Sequence, residues 1–401
     1  MNRIYETLIT EHFNDYTQMV FLGGPRQVGK TTISLHAKKL TTRFYYLNWD
    51  VATDRAIIIQ GAHRVAEYAN LEKLSHSKPI IVFDEIHKFS RWKSFIKGFF
   101  DLYKDKIFII VTGSSKLDVF RKGGDSLMGR YFLYRIHPLS VAEYVHQKLN
   151  HEIQLPKKIP EKSWQALIQF GGFPEPLLRA QSRFSTRWQN LRSQQLFRED
   201  IRDLSRIQEL GQIEILATLL KNFAAQRIVY SNLANKIGAS VDSIKRWIKI
   251  LESFYYCFTL KPWTKNISRS LLKEPKIFLW DWSEIKDIGV RTENFIASHL
   301  LKAVQFWTDS GLGKYNLYFI RDKDQREVDF IVTKDEEPWF LVEVKHSSEA
   351  KLSPHLAYFQ AQTKAEHAFQ VALDMDFINK NCFEIHTPII IPAKTFLSQL
   401  V

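Results

Sequence analysis

"MVFLGGPRQVGKTTISLHAKKL", residues 19–40, reads as an apolar strand, a glycine-rich loop and a helix in direct succession. Gly24, Gly29, Lys30 and Thr31 fit the pattern G-x-x-x-x-G-K-S/T. Glycines so placed let backbone N–H groups turn toward phosphate oxygens at a helix N-terminus, whose dipole favours anions. Lys30 brings a mobile positive charge to the outer phosphates, Thr31 a hydroxyl to Mg2+, and Thr32 is grouped with them as a nucleotide contact.

Such a loop needs an acidic partner on another buried strand. "KPIIVFDEIHKF" (78–89) supplies it, with Asp84 and Glu85 after four apolar residues. Asp84 is expected to hold Mg2+ and Glu85 to polarise an attacking water. The competing reading is an acidic cap on the helix that follows. A third apolar run, "KIFIIVTGSS" (106–115), ends in Thr112, Ser114 and Ser115. A hydroxyl there, Ser114 first, can sense a γ-phosphate, although serine and glycine also suit an ordinary turn. Apolar strands alternating with helices predict an α/β fold: a parallel sheet covered on both faces, binding ATP and Mg2+ at its C-terminal strand ends.

The chain of 401 residues is long enough for two or three domains. Its 56 Lys+Arg against 43 Asp+Glu leave a formal charge of +13, which makes nucleic acid or an acidic membrane surface a candidate partner, the alternative being a protein that is simply basic. Cys257 and Cys382 lack metal-site spacing and read as buried, reduced thiols. The N-terminal "MNRIYETLITEHFNDY" has no apolar signal core, and no run reaches the ~18 apolar residues of a membrane span. A cytoplasmic protein without a membrane partner is expected.

Residues 228–263, "IVYSNLANKIGASVDSIKRWIKILESFYYCFTLKPW", have helix-turn-helix grammar. Ser231 is a candidate N-cap and Gly238 ends the first helix. Ile244, Trp247, Ile248 and Leu251 then share one face of the second, and "YYCFTLKPW" follows as a wing strand. Lys245, Arg246 and Lys249 are the side chains able to reach phosphates or bases. The same module can instead dock a protein.

"REVDFIVTKDEEPWFLVEVK" (326–345) reads as two strands around an acidic turn, with Asp329, Glu343 and Lys345 inside the strands. The strand period of two puts Glu343 and Lys345 on one face. Upstream, "RTENFIASHLL" (291–301) reads as a helix presenting Glu293. Carboxylates beside a lysine are what a Mg2+-dependent phosphodiesterase requires, with Asp329 and Glu343 as metal ligands and Lys345 steadying developing charge. These residues match the PD-(D/E)xK nuclease pattern, and the resemblance implies either a cutting domain or one that persists as a DNA-holding or interaction fold.

The loop "GPRQVGKTT", the acidic "DEIHKF" and "SLMGRYFLYRIHPLSVAEY" (126–144) together resemble the AAA+ superfamily. Over nearly the whole chain the sequence resembles prokaryotic AAA-type ATPases that carry a winged helix and a C-terminal nuclease-like domain. The resemblance implies that Arg130 is an arginine finger acting in trans in a homo-oligomer, the alternative being a surface arginine. It also covers "FGGFPEPLLR" (170–179), to which no chemical role attaches. The expected layout is an ATPase core (1–150), a helical lid (151–205), a winged helix-turn-helix (206–272) and a PD-(D/E)xK nuclease-like domain (273–401). The expected function is ATP hydrolysis coupled to remodelling or unwinding of DNA. An ATP-regulated metal-dependent nuclease and a nucleotide switch for a protein partner are the alternatives.

Overall fold

Five short apolar runs, each followed by a polar or glycine-rich connection, build the first sheet in a computed structural model of the chain. The structure describes residues 3–72, 77–113, 127–146, 148–149, 151–201, 209–264 and 274–401. They form two compact units, Met1–His137 and Pro138–Val401.

In the first unit, strands β1 (Met19–Gly23), β2 (Phe44–Asn48), β3 (Ile80–Asp84), β4 (Phe108–Thr112) and β5 (Tyr131–Arg135) make one sheet in the order β2-β3-β4-β1-β5. Every neighbouring pair is parallel. Helices α1 (Ile4–Asp15), α2 (Lys30–His36), α3 (Ala52–Ile59), α4 (Ala62–Tyr68) and α5 (Trp92–Tyr103) connect and cover it. Met19, Phe21, Ile81, Phe83, Ile109 and Val111 point to one face and pack with Ile58, Val65, Ile96 and Phe99. Val20, Leu22, Ile80, Val82 and Ile110 are equally buried on the other. Burial on both faces explains why these strands are continuously apolar rather than alternating. The expected parallel α/β sheet is present.

The second unit opens with α6 (Val141–Val145), α7 (Glu161–Phe170), α8 (Pro174–Arg179) and α9 (Ser182–Gln195). A helical group follows: α10 (Leu210–Asn222), α11 (Tyr230–Ile237) and α12 (Val241–Ser253). Ile244, Trp247, Ile248 and Leu251 are all buried there, packed with Leu216, Leu220 and Leu233. Gly238 ends α11 in the left-handed conformation (φ 72°) and Ser240 caps α12 through the Ser243 N–H. Ser231 is not a cap: α11 begins one residue before it, with Val229 at the N-cap position. Strands β6 (Cys257–Leu260) and β7 (Lys276–Leu279) then pair antiparallel.

The long helix α13 (Ile288–Asp309) leads into β8 (Tyr315–Arg321), β9 (Glu327–Lys334) and β10 (Glu337–Lys345). Helix α14 (Pro354–Thr363), β11 (His367–Ala372), β12 (Ile389–Pro392) and α15 (Ala393–Ser398) complete the chain. The second sheet runs β12-β11-β10-β9-β8. Its β8, β9 and β10 are antiparallel, and β11 and β12 add parallel to β10. The acidic turn is a two-residue connection, Asp335 and Glu336, both at positive φ (50° and 74°). That is the twist a tight hairpin demands. Cys257 and Cys382 are free and buried.

Candidate functional sites

The phosphate-loop candidate sits at the C-terminal end of β1. Gly24 has φ 151°, and a Cβ there would stand 2.4 Å from the Ile136 carbonyl oxygen, so only glycine fits. Gly29 has φ 99° and forms the N-cap of α2. Behind the loop the buried Arg3 guanidinium donates to the carbonyls of Val28 and His137, both at 2.6 Å. The Lys30 ammonium is turned over the loop, donating to the carbonyls of Gly24 (2.9 Å) and Pro25 (2.6 Å). Thr32 lies exposed in the first turn of α2.

Asp84 ends β3 and gathers three hydroxyls. Its Oδ2 accepts from Thr31 Oγ1 at 2.9 Å and Tyr46 OH at 2.5 Å, and its Oδ1 accepts from Thr112 Oγ1. Burial first, then the hydrogen bond to Asp84, hold the Tyr46 phenol above its ordinary pKa, so it stays a donor. Glu85 follows with φ 55°, a left-handed conformation unusual for glutamate. Its carboxylate lies 3.5 Å from Lys88 Nζ and 3.6 Å from His87 Nε2. Burial outweighs Lys88 and raises the Glu85 pKa. The structure thus joins Lys30, Thr31 and Asp84, with Glu85 next in the chain. Ser114 lies outside the described residues. Sequence reasoning missed Arg3 and Tyr46. Both come from segments without motif spacing, and the parallel register, with Asn48 beside Asp84, carries Tyr46 to the site.

Arg130 lies at the other end of the sheet. Tyr131 pairs with Met19, whereas the loop begins after Gly23, so roughly 16 Å of strand separates Arg130 from Gly24. Its guanidinium makes a two-pronged contact with Asp101 at 2.8 and 3.0 Å.

The carboxylate hairpin forms a second cluster. Val342 faces Phe330 across the ladder, which sets Glu343 and Asp329 in the next rank. Asp329 Oδ2 accepts from the Val344 N–H at 2.9 Å, and Lys345 Nζ donates to Glu343 Oε1 at 2.8 Å. Helix α13 brings Glu293 to the same cluster. A lysine that sequence reasoning missed, Lys276 on β7, lies among these acids. Its Nζ is 3.0 Å from Glu293 Oε1, 2.7 Å from Glu327 Oε1 and 3.5 Å from Asp329 Oδ1. Burial alone would pull the Lys276 pKa down, but the three carboxylates outweigh it and hold it above the ordinary lysine value. Burial, then the Asp329 charge, push Glu293 up to about 8 and Glu343 up to about 7. The one local signal is a lysine at the head of the apolar strand "KIFL", which by itself does not say which acids it meets.

On the helix pair, Lys245, Arg246 and Lys249 all lie on the exposed side of α12. Arg246 is engaged with Glu209 at 2.7 Å, and Lys245 Nζ stands 5.6 Å from the Tyr230 ring centre.

Residues 16–145 match the family model of an AAA domain. Residues 161–284 and 289–389 match two domains of unknown function, DUF8612 and DUF4143. The chain therefore joins an AAA-type domain to a DUF4143 domain, and its parallel sheet fits the P-loop core of the former. An AAA domain supports binding and hydrolysis of ATP. The chain is 24% identical over 330 residues to the uncharacterized protein MJ1544 of Methanocaldococcus jannaschii, covering 77% of this chain and 70% of that one. An uncharacterized protein of Haemophilus influenzae is 20% identical over 349 residues, with 81% and 82% covered. The uncharacterized protein Rv2008c of Mycobacterium tuberculosis is 21% identical over 350 residues, with 84% and 72% covered. Among solved structures, one on katanin self-assembly aligns at TM-score 0.24 and 16% identity over 41% of this chain and 52% of that one. Caenorhabditis elegans PCH-2 aligns at TM-score 0.23 and 14% identity, covering 35% and 40%. Likenesses so slight carry no argument about the fold. No helix among the described residues is long and apolar enough to cross a membrane.

Proposed function

We propose that this protein is a Mg2+-dependent ATPase that couples hydrolysis to the remodelling or unwinding of DNA. The observation that carries the nucleotide site is the 2.9 Å contact between Thr31 and Asp84 beside the Lys30 ammonium. A hydroxyl and a carboxylate are the hard oxygen donors that suit Mg2+, which lends charge to the β- and γ-phosphates. Gly24 and Gly29 free the loop to wrap phosphate, and Lys30 turns from the loop carbonyls to the outer phosphates. Thr32 extends the contact. Glu85, kept basic only above its raised pKa, orients the attacking water, and Ser114 is the proposed phosphate sensor. Arg130, too far from its own loop, is assigned to a neighbouring copy's nucleotide, which makes the working form a homo-oligomer.

The DNA reading rests on the basic chain and on the pair α11–α12 followed by an antiparallel ribbon, which is winged-helix order. Lys245 and Lys249 lie exposed on the face opposite the buried one. The mixed sheet of the C-terminal region, with Asp329, Glu343 and Lys345 on adjacent strands, is nuclease-like in content. We place the ATPase core at 1–150, the lid at 151–205, the winged helix at 206–272 and the nuclease-like domain at 273–401.

The test is steady-state ATP hydrolysis with Mg2+, alone and with single-stranded, duplex, forked and four-way-junction DNA. Lys30→Ala is expected to abolish turnover, and one DNA form to stimulate the native chain. DNA affinity should fall with salt at a log–log slope of roughly −0.9 per phosphate contacted. Turnover indifferent to every DNA would reject the coupling and leave a nucleotide switch for a protein partner. Wild-type turnover in Lys30→Ala would reject the site itself.

A further inference from the structure

A divalent ion in the hairpin cluster would have to share the carboxylates that Lys276 already holds. An ammonium has three N–H donors, and three acids from two elements, Glu293 of α13 with Glu327 and Asp329 of β9, lie within reach of this one. The other Asp329 oxygen is taken by the Val344 N–H, and Glu343 is taken by Lys345. Arg321 adds a further cation to Glu327 at 2.9 Å. Four carboxylates thus meet three basic groups before any metal is counted.

The lysine is also fixed in place. Its side chain is only 5% exposed, β7 pairs with β6 at Lys276 and Leu260, and the Ile277 N–H binds the Gln226 carbonyl at 3.1 Å. Mg2+ draws its oxygens in to about 2.1 Å in an octahedron. An ammonium 2.7 and 3.0 Å from Glu327 and Glu293 fills the space where those oxygens would converge. Removing it would leave buried charges unpaired. Consistent with this, the group of three acidic or histidine ligands that converges closely enough for an ion among the described residues is elsewhere, at Glu366, His367 and His386.

We propose that the Lys276 ammonium stands in the place of the divalent ion, so that the hairpin acids are held by Lys276, with Lys345 and Arg321 beside it, and take no metal. This rests on the nuclease-like reading of residues 273–401 and makes that domain a holding module rather than a cutter. It is independent of the ATPase reading.

The test is Mn2+ binding by the nucleotide-free full chain, followed by electron paramagnetic resonance, since Mn2+ shares the oxygen-ligand preference of Mg2+. Native protein and Asp329→Asn are expected to bind equal amounts, because any ion at Thr31 and Asp84 is common to both. Lys276→Met is expected to gain about one ion per chain, and Lys276→Met/Asp329→Asn to lose it again. An ion in the native protein that Asp329→Asn removes would overturn the proposal, and that comparison decides even if Lys276→Met does not fold. A folded Lys276→Met that gains no ion, with none in the native chain, would instead reject the nuclease-like reading on which the proposal rests.

Discussion

Asp84 and Glu85 are neighbours in the chain with different surroundings. Asp84 is buried and accepts from three hydroxyls, whereas Glu85 is half-buried, at positive φ, and held upward in pKa by burial. The division suits an anchor and a base. Glu85→Gln should therefore keep nucleotide binding while losing roughly 10²–10⁴ in turnover, read by pairing an ATP-binding titration with steady-state hydrolysis. Lost affinity would make Glu85 part of the binding wall instead. Tyr46→Phe deletes one donor to a buried carboxylate, and hydrogen bonds to charged groups contribute about 1.5–3 kcal/mol. Thr31 and Thr112 still serve Asp84, so a loss of about 1.5 kcal/mol in urea unfolding is expected. An unchanged midpoint would mean the phenol contributes nothing to the anchor.

At the scale of elements, the reading of the sequence succeeded where a pattern is local and stopped where contact is made across the chain. The Ile244–Leu251 stripe, the turn at Gly238 and the Asp335–Glu336 hairpin are each written in a few consecutive residues, and each formed as expected. Lys276 meets Glu293, Glu327 and Asp329 because β7, α13 and β9 converge, and no spacing in the sequence encodes that. Ser231 has the chemistry of a cap, yet Tyr230 already begins the helix. "FGGFPEPLLR" carried a packing reason that only the fold reveals. A Cβ on Gly172 would meet the Leu139 carbonyl oxygen at 2.5 Å and Trp282 at 2.7 Å, while one on Gly98 within α5 would meet nothing within 4 Å. Gly172→Ala should therefore destabilise by about 1–3 kcal/mol, as overpacking does. Gly98→Ala, exposed and helical, should stabilise by about 0.5–1 kcal/mol. Thermal unfolding of the two variants side by side checks the opposite signs.

Across the whole molecule, the two compact units answer to different ligands. Met1–His137 holds the candidate nucleotide site, so MgATP should raise its stability by about 2.7 kcal/mol at one hundred times the dissociation constant. Pro138–Val401 answers to protons, through Glu293 and Glu343 in one direction and through His299 in the other. That imidazole is buried, accepts from the Val141 N–H at 3.1 Å and donates to the Phe295 carbonyl at 2.8 Å, and burial drops its pKa to about 3. Above the ordinary histidine value of 6.5 folded and unfolded chains are both neutral there. Between 6.5 and about 3 the unfolded chain takes a proton that the folded one refuses, so this contribution to stability falls as pH falls. The slope is about 1.4 kcal/mol per pH unit within that window. Glu293 and Glu343, raised in the folded chain, act in the opposite sense over the same window, so the test is the difference between chains. Measured by thermal unfolding from pH 7.5 to pH 5, His299→Gln should gain stability relative to the native chain as pH falls below 6.5, while keeping the MgATP shift. Lys30→Ala should do the reverse, losing the shift and keeping the slope. A His299→Gln slope equal to the native one would place the acid sensitivity in other groups. An ATP shift surviving in Lys30→Ala would place the nucleotide elsewhere than the loop at residues 24–32.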